Sequence, residues 1–430
     1  MTDLAYHNVD IEKSPAPEGC PIDHEFSPFD ERYVAYPYAW LEDKRENEPV
    51  FYAEELGYVV VTRMEDVEAV FRDAETFTST NVQDPVFPIC KEAAEILSAE
   101  DYNPVAVMSN RPLPDHTRIR KYTQAGFSPR RMQVLEPLIR ARAEKLIDDM
   151  LAKGPPVEWV SAVGNPLPAE TIFRLLGFPE ADDEQLKAWT NNRLEFTWGK
   201  ANREQQIQVA KNLLAYWRYV AAYVERRKDD PADNFTSELL AAHAGNPDDL
   251  SYVEVQSIVY GLSFAGHEIV RNLISNSLLC FLGERQNWER LCAEPGMIKP
   301  AIEEVLRFNS AQTSWRRVTT KDTEFRGIKL PRGTEVFMSL AAANRDPRLF
   351  DHPDRYDMDR DNASKHIAFG RGPHICLGRL LAKLELTTVL NLLIEKVPSL
   401  RLVMGQELSY FPNFSFRGPK TLYLTWDTDE

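Results

Sequence analysis

A cysteine that lies between glycines, directly before a strongly helical segment, is the feature that most constrains this chain. The segment reads FGRGPHICLG over residues 369–378 and continues as RLLAKLEL to residue 386. The first turn of a helix presents free backbone N–H groups and the positive end of the helix dipole, so the thiolate form of Cys376 is favoured there. A sulfur in this position is either a metal ligand or a nucleophile.

The surroundings of Cys376 favour the first role. A catalytic nucleophile needs a general base and an oxyanion hole, whereas a haem thiolate needs an aromatic wall and glycines that let the porphyrin approach. Phe369, Gly372 and Gly378 belong to the second set. With Cys376 they form the pattern Phe-x-x-Gly-x-x-x-Cys-x-Gly, and here the chain resembles the cytochrome P450 family. The resemblance implies that Cys376 is the axial ligand of a haem b, with Phe369, Gly370 and Gly378 in the cofactor-binding loop; the alternative is a buried structural cysteine.

Basic side chains elsewhere in the chain suit the carboxylates of such a haem. His116 and Arg120 are four residues apart, which places them on one helix face. Buried propionates need cations because an unpaired carboxylate in a low dielectric is costly. The resemblance implies that this pair, together with Arg317 and His374, binds the propionates. Each residue taken alone could equally be a solvated surface cation.

A second fixed point is the pair Glu304 and Arg307, one helical turn apart, which can form a bidentate ion pair. In the resembled family a further arginine, here Arg360, completes a Glu-Arg-Arg core. A bare Glu-x-x-Arg is common on any helix, but this one precedes a proline-rich meander and the cysteine loop. The resemblance implies that the three residues hold the fold around the haem without taking part in the chemistry.

The oxygen-binding side is predicted on a long helix over residues 251–284, which contains Ala265, Gly266, Glu268 and Ile269. In the resembled family a small residue here leaves room for dioxygen, an acid relays protons through water, and a threonine hydroxyl orders that water. The resemblance therefore implies catalytic roles for these four positions. Ile269 stands where the threonine is usual, and isoleucine can neither donate nor accept a hydrogen bond.

Three accounts of Ile269 remain open. Glu268 and ordered water could suffice, with Ile269 only a packing residue; a polar group on the substrate could complete the relay; or the reaction could need no dioxygen activation, as with peroxide. Thr313 and Ser263 are possible stand-ins that no spacing argument places near the iron. His267 should point away from Glu268, because successive helical residues are rotated by roughly 100°, and it is interpreted as structural.

Composition sets outer limits on the function. The chain has 430 residues, 43% of them hydrophobic, so it can enclose a cofactor in a large core. Its formal charge of −16 argues against nucleic acid and against an anionic membrane surface as general partners. Five scattered cysteines indicate neither a disulfide framework nor a zinc site, and the polar start and lack of a long apolar run predict a soluble cytoplasmic protein.

The periodicity along the chain predicts a mainly helical protein with small β-sheets. Residues 1–25 carry prolines with little periodicity and predict an extended arm before a single haem-binding domain over residues 26–430. The resemblance covers this domain and implies the P450 fold, with the long helix over the haem. Further predicted elements are a hairpin within 49–62, a helix at 64–72, a functional loop at 78–114, helices within 116–151 and 185–228, and strands within 322–340 and 408–425.

The resemblance also indicates which segments line a substrate pocket. Their side chains are a mixture of aromatic and polar groups, wetter than a hydrocarbon pocket needs, which suggests a modest aromatic substrate with a hydroxyl or anionic substituent. The candidates are Asn81, Gln83, Phe87, Asn191, Arg193, Trp198, Gln312, Thr313, Ser314, Trp315, Asn413 and Phe414.

The resemblance implies a haem-thiolate monooxygenase that inserts one oxygen atom from O2 into a C–H bond. No flavin, dinucleotide or iron–sulfur motif is found, so electrons are expected from a ferredoxin or flavodoxin with an NAD(P)H reductase. A local basic face could bind such acidic partners; its candidates, each also explicable as a solvated charge, are Arg130, Arg131, Arg371, Arg379 and Lys383. The alternatives are a peroxide-driven peroxygenase and a non-catalytic haem-binding protein.

Overall fold

Helices make up most of the structure, a computed structural model that describes residues 13–190 and 193–428. In chain order they are α1 Glu31–Ala35, α2 Pro37–Asn47, α3 Met64–Arg72, α4 Lys91–Leu97, α5 Asp115–Thr123, α6 Pro129–Lys153, α7 Pro166–Leu176, α8 Asp183–Thr190, α9 Arg193–Trp198, α10 Arg203–Asp229, α11 Phe235–Gly245, α12 Tyr252–Ala265, α13 Glu268–Gly283, α14 Arg285–Ala293, α15 Ile298–Phe308, α16 Leu340–Ala343 and α17 Arg379–Lys396. None of the helices in these two ranges has the length and apolar character that a membrane span requires.

The strands form three small sheets. They are β1 Ile22–Asp23, β2 Val50–Ala53, β3 Tyr58–Val61, β4 Phe77–Thr78, β5 Val157–Glu158, β6 Ser314–Thr319, β7 Thr323–Phe325, β8 Ile328–Leu330, β9 Glu335–Ser339, β10 Arg401–Leu402 and β11 Tyr423–Thr425. The largest sheet has the order β1-β2-β3-β9-β6-β4, a second has the order β10-β11-β5, and β7 pairs with β8. In the large sheet β3 runs parallel to β9 with Val60 opposite Phe337, and β6 runs antiparallel to β9 with Trp315 opposite Met338.

Local sequence sets the ends of the long helices. The Ser128 side chain accepts the Arg131 N–H at the start of α6, and the helix ends at Gly154, whose φ of 73° favours glycine. Capping boxes begin both α10 and α12, the second formed by Ser251 and Glu254. Such caps satisfy N–H groups that have no partner inside the helix.

The predicted long helix over 251–284 is interrupted: α12 ends at Ala265 and α13 begins at Glu268. The Gly266 N–H reaches the Leu262 carbonyl at 3.4 Å, the outer limit for a hydrogen bond, before regular bonding resumes. Glycine weakens a helix interior. The buried His267 ring is held from outside the helix, with Nδ1 3.3 Å from Thr190 Oγ1 and Nε2 3.2 Å from Asn165 Oδ1. The interruption therefore depends on contacts from other helices.

Two predicted segments differ from the structure in detail. Of the strands expected within 408–425, only β11 forms a strand, and the preceding residues make isolated bridges such as Gln312 with Phe416. The arm predicted at 1–25 is described only from residue 13, and its β1 pairs in parallel with β2, so this part packs against the large sheet. Residues 1–12 lie outside the described chain.

The cysteine loop lies between two large hydrophobic clusters of the helical body. One cluster joins α7, α10 and α12 around side chains such as Phe173, Trp217 and Ile258, and Leu377 of the loop packs against it. The other joins α13, α15 and α17, and Phe369 packs against it. Complete burial of one large apolar side chain in such a cluster stabilises the folded state by about 1.5–3 kcal/mol. The position of the loop therefore follows from the packing of the whole helical body.

Candidate active site

The backbone of the cysteine loop is held in a shape that only glycine readily allows. Gly370 and Gly372 have φ values of 69° and 70°, and a Cβ on Gly372 would lie 2.5 Å from the Phe71 carbonyl oxygen. The Cys376 N–H donates to the Phe369 carbonyl at 2.8 Å, and Gly378 forms the N-cap of α17. The loop thereby turns Cys376 toward a large internal cavity, which its residues line.

The groups around Cys376 counteract the effect of burial on the pKa of its thiol. Burial raises the pKa of the Cys376 thiol, while the Gly378 backbone and the cationic Arg379 and Arg120 lower it. Arg120 Nη2 donates to the Ile375 carbonyl at 2.8 Å, and Arg379 Nη1 donates to the Cys376 carbonyl at 3.1 Å. A thiolate bound to a cationic metal would gain from these same groups.

The four cations predicted to bind propionates converge on one side of this cavity. The His116 and His374 rings lie 3.9 Å apart, Arg120 and His374 line the cavity, and Arg317 lies 5.2 Å from the ring centre of Phe71, another lining residue. Burial lowers the pKa of His116 to about 4, of His374 to about 3 and of Arg317 to about 9. For the two histidines, neighbouring basic side chains contribute to these lowered values.

This basic cluster lacks a negative partner in the described chain. Both ring nitrogens of His116 and Nε of Arg317 are buried with no hydrogen-bond partner, and no acidic residue contributes to the pKa shifts of His116, Arg317 or His374. Buried donors of this kind are costly unless a ligand satisfies them. Two carboxylates beside a planar ring would do so, and the residues therefore fit a haem bound through Cys376.

The cavity has a volume of about 310 Å³ and a mainly aromatic and aliphatic wall. Ala265, Gly266, Glu268 and Ile269 line it at the interruption between α12 and α13. Ile269 also packs against hydrophobic clusters on both sides of it. The aromatic lining side chains are Phe71, Tyr102, Phe127, Trp198, Tyr260, Phe264, Trp315, Phe369 and Phe416.

Glu268 is the acid at the helix interruption in this wall, and its surroundings favour its protonated form. Its pKa is raised to about 7, chiefly by burial and also by Glu195, against the opposing effects of Arg271, Arg193 and the Leu194 backbone. The hydroxyls considered as substitutes for the missing threonine are engaged elsewhere. Ser263 Oγ donates to the Tyr260 carbonyl at 2.7 Å and Thr313 Oγ1 donates to the Ser415 carbonyl at 3.1 Å, and neither lines the cavity.

Part of the predicted pocket set lines the cavity: Gln83, Arg193, Trp198, Gln312 and Trp315. Arg193 Nη2 donates to Gln83 Oε1 at 3.0 Å, and Gln83 Nε2 donates to Ser109 Oγ at 3.0 Å. Arg193 forms no ion pair with a carboxylate of the described residues, and its Nε is buried without a partner. A polar chain headed by an unpaired guanidinium thus enters the cavity.

The other predicted pocket residues lie outside the cavity wall and hold the surrounding framework. The Asn81 amide donates to Glu335, and the Phe87 ring lies 5.0 Å from that of Phe29. Ser314 Oγ donates to the Phe414 carbonyl at 2.6 Å. The Asn413 amide donates to the Leu194 carbonyl at 3.1 Å. Thr313 bonds Ser415 as described above, and Asn191 lies outside the described residues.

The predicted Glu304, Arg307 and Arg360 form a connected group. Arg307 donates to both carboxylate oxygens of Glu304 at 2.7 Å, and Arg360 Nε donates to the same carboxylate at 3.1 Å. Glu304 and Arg307 have no exposed side-chain surface. Arg307 also donates to the Asn344 and Pro353 carbonyls, so the group fastens the meander that precedes the cysteine loop.

Sequence reasoning missed several cavity residues. Tyr260 and Phe264 are spaced i, i+4 before the interruption, an aromatic pattern that could have indicated the wall. Glu385 was also missed: it lines the cavity, is completely buried, and neither of its carboxyl oxygens has a partner, so burial raises its pKa well above the usual range. Its spacing of nine residues after Cys376 gives no chemical signal by itself.

Comparison with known proteins identifies this arrangement. A family model described as Cytochrome P450 matches residues 296–398, which include the Glu304 to Arg307 pair and the cysteine loop. The biotin biosynthesis cytochrome P450 of Bacillus subtilis (strain 168) is 31% identical over 400 residues, covering 92% of this chain and 97% of that protein. The chain belongs to the cytochrome P450 family.

Solved P450 structures agree with the architecture. Cytochrome P450 CREJ in complex with (4-ethylphenyl) dihydrogen phosphate has a TM-score of 0.89 and 35% identity, covering 94% of this chain and 100% of that one. An intact type IV self-sufficient cytochrome P450 monooxygenase has a TM-score of 0.92 and 34% identity, covering 97% of this chain and 55% of that one. The predicted family, fold class and activity are confirmed: the protein is a cytochrome P450 monooxygenase.

Proposed function

We propose that this P450 oxygenates a small aromatic compound that carries an anionic or hydroxyl group, with electrons supplied by separate proteins. One atom of O2 enters a C–H bond of the substrate and the other leaves as water, while electrons and protons are consumed in equal number. The observation that carries the proposal is the unpaired Arg193 guanidinium in the wall of the cavity that faces Cys376.

An anionic substrate would compensate the positive charge of Arg193. A partly buried guanidinium without a paired carboxylate is unfavourable, and a phosphate, sulfate or carboxylate can accept hydrogen bonds from its planar donors. Gln83 and Ser109 extend the polar chain beside it, so a substrate anion would meet several polar groups. The remaining aromatic wall, with Phe264, Trp198 and Trp315, suits an aromatic ring.

The similar P450 CREJ supports this assignment, because its structure holds (4-ethylphenyl) dihydrogen phosphate, an aromatic ring with an anionic group. At 35% identity the two proteins share a fold and a family. For this chain we propose the same chemical class, an aryl phosphate or a comparable aryl anion. The carboxylate class is the nearest competitor, since Arg193 would bind it through the same donors.

The residues of the site have different roles in the proposed reaction. A haem b, when bound through Cys376, supplies the activation of O2 and the transfer of one oxygen atom. His116, Arg120, Arg317 and His374 would hold its two carboxylates. Ala265 and Gly266 leave space at the helix interruption. Glu268, whose pKa burial raises to about 7, holds a proton at the cavity wall near neutral pH and can release it to water inside the cavity.

Spectral titration of the haem-loaded protein tests the substrate class. We expect 4-alkylphenyl phosphates and 4-alkylbenzoates to bind more tightly than the matched alkylphenols, and alkylphenols more tightly than alkylbenzenes of equal size. Equal or tighter binding of plain alkylbenzenes or fatty acids would overturn the assignment. Inorganic phosphate serves as the control for the charge alone.

Separate redox partners of the ferredoxin or flavodoxin class, served by an NAD(P)H reductase, are proposed as electron donors. Of the predicted basic face, Arg131, Arg371 and Lys383 are paired with Glu238, Glu68 and Glu303. Arg379 bonds only a backbone carbonyl, and Arg130 forms no ion pair within the described chain. Among the described residues of this face, these two have no carboxylate partner and would attract an acidic partner protein.

Comparison of electron sources separates the remaining alternatives. Product formation with NAD(P)H and partner proteins supports the proposal, formation with hydrogen peroxide alone indicates a peroxygenase, and formation with neither indicates a haem-binding protein. Charge reversal at Arg379 should slow reduction more at low salt than at high salt. A reducing cytoplasm is the proposed compartment, in keeping with free thiols at all five cysteines.

A further inference from the structure

A second, smaller cavity lies behind Glu268. Its volume is about 60 Å³, enough for a few water molecules. Glu268, Leu194 and Phe416 line both this space and the large cavity, so the Glu268 carboxyl stands in the wall between the two. The second cavity is otherwise lined by Glu195, Arg271, Asn272, Phe411, Asn413 and Gly418.

The charged side chains around this small cavity are not tied to one another. Within the described chain, neither Glu195 nor Glu268 forms an ion pair, and Arg271 donates to Asn272 Oδ1 at 3.1 and 3.2 Å instead of to a carboxylate. Carboxyl and guanidinium groups that form no ion pair are polar partners that ordered water can use. The cavity therefore has the size and the polar groups that water beside Glu268 would need.

We propose that Glu195 is the outer carboxyl group of a proton path that reaches Glu268 through water in this second cavity. Glu195 lies on α9 and is only partly buried, whereas Glu268 faces the reaction space. In each cycle Glu268 gives its proton to water in the large cavity and takes another, through the second cavity, from Glu195. Bulk water then reprotonates Glu195, so no redox step or additional reactant is involved.

The electrostatics support transfer in this direction. Burial raises the pKa of both Glu195 and Glu268, which brings the two carboxyl groups closer to neutral pH. Arg271 opposes the rise at both residues, Lys420 opposes it at Glu195, and Arg193 opposes it at Glu268. A rise in the pKa of Glu195 lowers the free-energy cost of its holding a proton that it can pass to Glu268. Such a path would deliver protons where the threonine hydroxyl is replaced by Ile269.

The C-terminal loop closes one side of the second cavity. Gly418 lies directly against Asn272, and a Cβ at residue 418 would collide with the Asn272 side chain. Asn413 fastens the same loop to α9 through the Leu194 carbonyl. The loop thus packs against the second cavity and lines it without filling it.

The test compares Glu195→Gln, Glu195→Asp and the control Glu180→Gln in the haem-loaded protein; Glu180 is 87% exposed on its side chain and lies away from both cavities. We expect Glu195→Gln to lower product formed per NAD(P)H about tenfold and to increase the solvent deuterium isotope effect. Glu195→Asp should restore at least part of the loss, and the control should match the wild type.

An infrared titration gives a readout that does not depend on turnover. The protonated carboxyl band assigned by its loss in Glu268→Gln should titrate near pH 7 in the wild type and at lower pH in Glu195→Gln, because a neighbouring negative charge has been removed. If the band shifts while product yield and isotope effect stay at wild-type values, Glu195 acts only as a charge and the proton path is overturned. An unshifted band together with unchanged turnover would overturn it as well. Neither result depends on the aromatic substrate class.

Discussion

The guanidinium carbon of Arg193 lies 4.1 Å from the ring centre of Phe264, inside the cavity that faces Cys376. The ring covers one face of the guanidinium with a favourable cation–π contact but supplies no negative charge. The ring thus shields one face of the Arg193 guanidinium from water, while its Nε–H has no hydrogen-bond partner. This combination distinguishes Arg193 from a solvated surface cation.

Replacement of Arg193 by glutamine should weaken binding of aryl anions selectively. A hydrogen bond to a charged group contributes about 1.5–3 kcal/mol, so we expect a roughly 10- to 100-fold increase in the dissociation constant for aryl phosphates. Binding of neutral alkylphenols should change less than threefold. Spectral titration measures both values, and Arg218→Gln, which removes an exposed ion pair with Asp101, is the control. An equal loss for anionic and neutral ligands would contradict a charge-specific role.

The sequence predicted the side of the site that depends on local spacing. The Cys376 loop, the His116 and Arg120 pair and the Glu304 and Arg307 pair each follow from residues close together in the chain. In the structure Cys376 and Arg120 line the cavity, the His116 ring lies 3.9 Å from that of His374, and Glu304 pairs with Arg307. The backbone geometry of this loop requires glycine at certain positions, and this requirement is visible in the short segment itself.

The side of the site that depends on distant packing could not be predicted in the same way. The helix interruption is held by contacts of His267 with Asn165 and Thr190, and the second cavity is bounded in part by Gly418, which lies against Asn272. Ser314 and Phe414 were predicted in the pocket, yet they bond each other in the framework behind it. Whether a loop side chain points into a cavity depends on the segment that packs against the loop. The sequence of the loop alone does not predict it.

Introduction of a hydroxyl at residue 269 should have an effect that depends on the substrate. With neutral alkylphenols, Ile269→Thr should raise product formed per NAD(P)H, because the hydroxyl can order water beside Glu268. With aryl phosphates we expect little change, since the bound anion already offers acceptors for that water. Ile269→Val, which keeps the position apolar, is the control. Equal improvement with both substrate classes would contradict a role for the substrate anion.

Removal of one partner from the buried Glu304 group should destabilise the whole protein. Glu304→Gln leaves Arg307 and Arg360 without their shared carboxylate, and breaking a buried ion pair typically costs about 3–5 kcal/mol. We expect a loss of this size in the free energy of unfolding, measured by urea denaturation, with weaker haem retention. Arg290→Gln, which breaks an exposed pair with Asp359, should cost less than about 1 kcal/mol. Similar losses in the two variants would show that the buried group is not a structural anchor.

A methyl group at residue 372 should impair haem loading more than stability alone explains. Gly372 and Gly405 both have positive φ, which costs an alanine about 1–2 kcal/mol. A Cβ at residue 372 would also press on the Phe71 carbonyl, whereas one at residue 405 meets nothing within 4 Å. The haem content of purified Gly372→Ala should therefore fall well below that of Gly405→Ala, as measured by the pyridine haemochrome assay. Equal haem content in the two variants would contradict this role of the glycine.

The pH dependence of stability should reveal the buried carboxyl of Glu335, which faces Arg316, Asn81, Tyr58 and Asp84. Burial raises its pKa from 4.5 to about 7, against the opposing effect of Arg316. Its contribution to stability is therefore complete below about pH 4.5 and is lost as the pH rises through 7, because the unfolded state releases this proton first. Glu335→Gln mimics the protonated form, so its free energy of unfolding relative to wild type should increase between pH 4.5 and 8 by up to roughly 3 kcal/mol. Urea denaturation across this range measures the difference, with the exposed Glu180→Gln as control; a difference that stays constant with pH would show that folding does not raise the pKa of Glu335.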